Sequence, residues 1–161
     1  MIGPTYRYSE FAPIFSDEFG AVRDIYVLGS TLETWDSLLV GLLDSEWEME
    51  FRLGQQAVEL VSAVQIFEQV RREAETYTLR VTVGGSWIWC HFYTVEEIEL
   101  SFQASQIDSD SAFQHLVSFM FWLADTLKRN VKLTLEAPSG QRADPLMLAR
   151  PGSPRLEVFE I

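Results

Sequence analysis

The chain has 161 residues, with 24 acidic side chains against 12 basic ones and a formal charge of −12. That balance argues against a nucleic-acid binder, which needs clustered Lys and Arg for phosphates, and against docking to anionic lipid. A hydrophobic content of 47%, with five Trp, eleven Phe and five Tyr, excludes intrinsic disorder over most of the length and fits one domain with a substantial core.

The start, Met1 to Glu10, contains no apolar run, so no secretory signal is expected. No stretch approaches the ~18 consecutive apolar residues of a membrane span. The longest greasy segment, 113–127, is interrupted by Gln114, His115, Ser118 and Asp125. Cys90 stands alone, which rules out an intrachain disulfide and fits a reducing, cytoplasmic setting.

Residues 1–21 combine Pro4, Pro13 and Gly20 with Tyr6, Tyr8, Phe11, Phe15 and Phe19. So many rings are costly to leave in water, and an arm laid on the domain is expected. Residues 22–28 read as a mostly buried first strand. Ser30 with Glu33 forms a capping-box pattern ahead of a helix over 31–44, whose inner stripe is Leu32, Trp35, Leu38, Leu39, Leu42 and Leu43. Trp47, Met49, Phe51 and Leu53 then alternate with Glu46, Glu48, Glu50 and Arg52, a strand of period two with three glutamates facing water. Residues 54–56 read as a turn and 57–61 as a short returning strand.

Ser62 with Gln65 opens a short helix over 63–74. Tyr77, Leu79, Val81 and Val83 alternate with polar residues, and Gly84-Gly85 supplies a two-residue hairpin turn. The return strand, 87–93, is apolar or aromatic on both faces, which predicts a central strand covered on two sides, with Trp89 and Tyr93 buried. Ile98, Leu100 and Phe102 mark a further strand with Glu97 and Glu99 outward. Ser111 and Gln114 suggest the cap of a long helix ending near 129, and 131–136 a strand after it. From 137 the chain becomes a Pro/Gly-rich tail, with an extended look over 155–161. The predicted fold is α+β: a largely antiparallel sheet of about six strands with helices on one face. Its organisation is one domain, 1–161, comprising the arm (1–21), the core (22–136) and the tail (137–161).

Few residues recommend themselves for bond-breaking chemistry. Cys90 and His91 are neighbours on a strand, so their side chains diverge and form no thiol–imidazole pair. His115 reads as a surface or boundary residue of a helix. Two histidines and one cysteine without ligand spacing predict no metal, and no cofactor motif is present. Glu96 with Glu97 and Glu99, or Asp108 with Asp110, are carboxylate pairs, but solvated strands and caps account for them. Gly84-Gly85 leads into a strand rather than a helix, unlike a phosphate loop, and Gly29-Ser30 is a single-glycine turn.

The pattern that carries a functional expectation is acidic. Glu46, Glu48 and Glu50 share one strand face, and Glu97 and Glu99 another. Rows of like charge cost stability. They serve either to keep sheets from aggregating or to dock a positively charged partner. The reading favoured here is a non-enzymatic acidic protein-binding module with a basic protein partner. Its concrete form is a bacterial immunity protein that occludes the basic surface of a nuclease-like or other toxin. The alternatives are an adaptor or secretion-chaperone-like protein, marked by an exposed apolar patch, and a small-ligand binder or enzyme, marked by a deep pocket with convergent polar groups.

Overall fold

The computed structural model describes residues 6–72, 75–137, 140 and 143–159. Within them the chain is α+β, with nine strands in one wholly antiparallel sheet rather than about six. The strands are β1 (Val22–Leu28), β2 (Glu48–Leu53), β3 (Gln56–Ala57), β4 (Tyr77–Val83), β5 (Ser86–Thr94), β6 (Glu97–Gln103), β7 (Val131–Leu135), β8 (Met147–Ala149) and β9 (Glu157–Val158). Their order across the sheet is β3-β2-β4-β5-β6-β1-β7-β8-β9. The additional members are short. β8 and β9 come from the tail, whose Pro and Gly residues mask the local alternation, and β3 reduces the expected 57–61 strand to two residues.

Among the described residues four α-helices complete the fold: α1 (Tyr8–Phe11), α2 (Leu32–Asp44), α3 (Ala63–Arg71) and α4 (Asp110–Leu127). Trp35, Leu38, Leu39 and Leu42 of α2, Ile66 and Phe67 of α3, and Phe113, Leu116, Met120 and Leu123 of α4 are buried in one cluster. With them are the inward residues of the sheet, including Ile25, Val27, Leu79, Val81, Ile88, Ile98 and Leu100. At roughly 25 cal/mol per Å² of apolar surface, this interface is the main source of stability.

The helix starts lie close to the sequence expectation, with local shifts. Thr31, not Ser30, caps α2: its hydroxyl accepts from the Thr34 amide at 3.2 Å, and the Thr34 hydroxyl accepts from the Thr31 amide at 3.1 Å. Ser30 is taken elsewhere, donating to the Val95 carbonyl at 2.6 Å, to which Trp35 Nε1 also donates at 3.0 Å. The β5–β6 turn is thereby clamped to the start of α2. Ser62 caps α3 as expected. Ser109, two residues before the expected Ser111, caps α4, while Asp110 and Gln114 accept from the amides of Tyr8 and Tyr6 in the arm.

The arm is a structured element. Tyr6, Phe11 and Phe15 pack their rings against Phe113 of α4, and the wholly buried Arg23 of β1 points beneath it. Arg23 donates from Nε to the Ile14 carbonyl (2.8 Å), from Nη1 to Gly20 and Val22 (each 2.9 Å) and from Nη2 to Ser16 (2.6 Å).

At the β4–β5 hairpin only Gly84 of the two turn glycines adopts positive φ (+62°), the pattern of a type II′ turn. A Cβ there would also lie 2.9 Å from the His115 ring, which packs over the turn, whereas one at Gly85 would meet open space. Gly84→Ala is expected to lower the unfolding free energy by about 1–3 kcal/mol. Gly85→Ala should stay within about 0.5 kcal/mol of the parent when both variants are unfolded in urea.

Candidate functional site

The helices cover one face of the sheet, and the opposite face is open over its middle strands. Cross-strand pairing sets its side chains in rows. One row runs Glu50, Arg80, Trp89, Ser101, Asp24, Thr134 across β2, β4, β5, β6, β1 and β7. The next contains His91, Glu99, Tyr26, Lys132 and Leu148. The strand expected to be covered on both sides, β5, lies on this open face. Trp87 is 49% exposed, Trp89 37% and Tyr93 69%, while the alternate residues Ile88, Cys90 and Phe92 enter the core. Among the described residues helices pack only on the inner side, so the second apolar face of β5 has no covering layer.

Arg80 organises the aromatic part of this face. Its guanidinium lies 4.2 Å from the Trp87 ring centre and 5.7 Å from that of Trp89, and Nη2 pairs with Glu50 Oε2 at 2.8 Å. The flat cation stacks on the electron-rich rings while the carboxylate neutralises it.

Beside the aromatic strip lies a groove of about 980 Å³ over β5, β6 and β1. Asp24, Glu96, Glu97, Glu99 and Glu136 supply carboxylates to its wall, with His91, Tyr93 and Ser101, and no Lys or Arg lines it among the described residues. The Tyr26 hydroxyl sits beneath, 2.5 Å from Glu99 Oε1 and 3.2 Å from Asp24 Oδ2. One hydroxyl proton serves only one of these acceptors. Donation to Glu99 is the shorter contact, and Asp24 Oδ2 is the longer, competing acceptor.

Burial, followed by the charge of Glu99, pushes the Asp24 carboxyl up to about 6. Desolvation and hydrogen bonding to Glu99 raise the Tyr26 phenol well above its ordinary value, so it stays protonated. Burial lowers the His91 imidazole, partly offset by Glu99, and Nε2 lies 2.6 Å from the Ser101 hydroxyl. The His91 and Tyr93 rings stack almost parallel, with centres 5.0 Å apart and planes 3° apart. Cys90 faces the core, where burial pushes its thiol far above the range of a reactive nucleophile.

The five acids singled out in the sequence do not form two plain rows of free charge. Glu48 is exposed on β2, but Glu46 precedes the strand, whose start is delayed while Trp47 packs on Phe119 and Trp122 of α4. Glu50 is committed to Arg52 and Arg80. Glu97 accepts from the Gly140 amide at 3.2 Å, and Glu99 from Tyr26. The two groups share the open face but stand three strand spacings apart, ~14 Å. Glu97 and Glu99 instead join Asp24 and Glu136, neither of which the sequence reading selected. The available signal was Asp24 itself, a carboxylate within a strand read as buried.

Elsewhere, His115 donates from Nδ1 to the Ser111 carbonyl at 2.7 Å and packs over Gly84. Among the described residues no group of three or more His, Cys, Asp or Glu is arranged to hold a metal, and no helix is long and apolar enough to cross a membrane. No protein-family model matches the chain, and no curated protein or solved structure matches it either.

Proposed function

We propose that the chain is a non-enzymatic binding module that takes a basic protein partner on the open face of its sheet. Its concrete form is a bacterial immunity protein that blocks a toxin by covering the cationic surface the toxin uses on its substrate. The observation that carries this reading is the conjunction of three exposed aromatic side chains, Trp87, Trp89 and Tyr93, with an adjoining carboxylate groove on a chain of charge −12. Aromatic anchors beside complementary charge are the composition of an interface centre, and opposed net charges speed capture.

The test takes the product of an adjacent toxin-like reading frame as partner and measures its affinity for single variants. Trp89→Ala and Tyr93→Ala are each expected to weaken the complex by about 30-fold, the scale of an interface hot spot. Val40→Ser and Leu43→Ser, at exposed positions on the outer side of α2, are expected to leave it unchanged. The opposite pattern would transfer the interface to the helical side and favour the adaptor reading instead. Retained affinity after both aromatic truncations overturns the proposal.

A further inference from the structure

Resting on that reading, we infer that the groove over β5, β6 and β1 receives the guanidinium of an arginine side chain projecting from the partner. Asp24 lines this groove while only 4% exposed, and buried carboxylates are ordinarily paired with a cation. Among the described residues the ion pairs are Arg52–Glu50, Arg80–Glu50 and Arg150–Glu157, so no carboxylate of the groove has one. The hydrogen bonds of Asp24 converge on one oxygen: Oδ2 accepts from the Tyr26 hydroxyl at 3.2 Å and from the Ala137 amide at 3.3 Å. No hydrogen bond from those residues reaches Oδ1, and it is not a buried atom left without a partner.

The choice of arginine over lysine follows from shape. Tyr93 presents an open ring face, and its other side is backed by the parallel His91 ring. A planar, weakly hydrated guanidinium can lie on that ring while its edge donates to the carboxylates of Glu97 and Glu99 below. An ammonium keeps its water and offers no flat face. The protein already holds one guanidinium this way on the same side of the sheet, where Arg80 stacks on Trp87 and pairs with Glu50. The groove repeats that combination of ring and carboxylate without a cation of its own among the described residues.

The probe is the capped tripeptide acetyl-Gly-Arg-Gly-amide, titrated at neutral pH and constant ionic strength against its lysine counterpart and followed by NMR of backbone and ring resonances. Saturable shifts centred on His91, Tyr93 and Gly29 are expected, with the arginine peptide binding ~10-fold more tightly than the lysine peptide. Glu99→Gln, which keeps an oxygen for Tyr26, and Glu136→Gln, at an exposed position, should each weaken it by ~5-fold or more. Glu59→Gln, the same charge change at an exposed site far across the sheet, should not. Equal binding of both peptides, shifts centred on Trp87 instead, or no saturation overturns the assignment. If the probe fails while Trp89→Ala still disrupts the protein complex, the arginine assignment falls and the docking face stands. If the probe saturates the groove while the aromatic variants leave the complex intact, the docking face falls instead.

Discussion

Arg23→Met is expected to cost about 3–5 kcal/mol of unfolding free energy. Methionine approximates the volume of arginine, so a cavity is not the main cause. The loss comes from the carbonyl oxygens of Ile14, Ser16, Gly20 and Val22, which all receive the guanidinium and keep their polarity when it is removed. Replacing a buried ion pair with apolar groups removes both partners, but here the acceptors are backbone and remain. Arg23→Lys should recover only part of the stability, because one ammonium cannot meet carbonyls spread around a planar fork. Urea unfolding measures the loss. Hydrogen exchange should show it concentrated in residues 8–22, where the carbonyls lie, and a uniform loss across the sheet would contradict the pinning role.

Asp24→Asn is expected to remove a pH dependence of stability on the order of 3 kcal/mol, taking ~1.4 kcal/mol per pH unit over the raised interval. Below about pH 4 the carboxyl holds its proton in both folded and unfolded chains. Between there and about 6 the unfolded chain releases it while the folded protein retains it, so stability falls as pH rises. Above about 6 the folded protein also ionises and the loss levels off. The causes are burial first, then Glu99, with Glu136 adding to them and the bonds from Ala137 and Tyr26 opposing. The asparagine variant should therefore match the parent near pH 4 and exceed it at pH 7–8. Urea midpoints for both proteins across that range provide the comparison, in which the general self-repulsion of an acidic chain cancels. Parallel curves would show that Asp24 ionises as readily in the fold as outside it.

Much of the architecture was legible because binary patterns speak through burial. The alternation of Trp47 to Leu53 and of Tyr77 to Val83 fixes which side chains enter the core, and the stripe from Phe113 to Leu127 does so for α4. Strand order was not legible, because β1 pairs with residues about seventy and a hundred positions away, and no local signal encodes such partners. The caps slipped by one or two residues for a similar reason. Ser30 was claimed by Val95, and Gln114 by the arm. The exposure of β5 was misjudged because a strand apolar on both sides looks alike whether its second face meets another layer or water. The candidate groove stayed hidden because Asp24, Glu99 and Glu136 lie on three strands or their ends, and only the finished sheet brings them together.

The placement of β1 also bears on synthesis. Its two hydrogen-bonding neighbours, β6 and β7, both lie downstream, the nearer of them ending at Gln103. A nascent chain emerging from the ribosome therefore carries Ile25, Tyr26 and Val27 without backbone partners until most of the polypeptide has been translated. Throughout that interval the first strand to be made remains the one most in need of shielding by a chaperone.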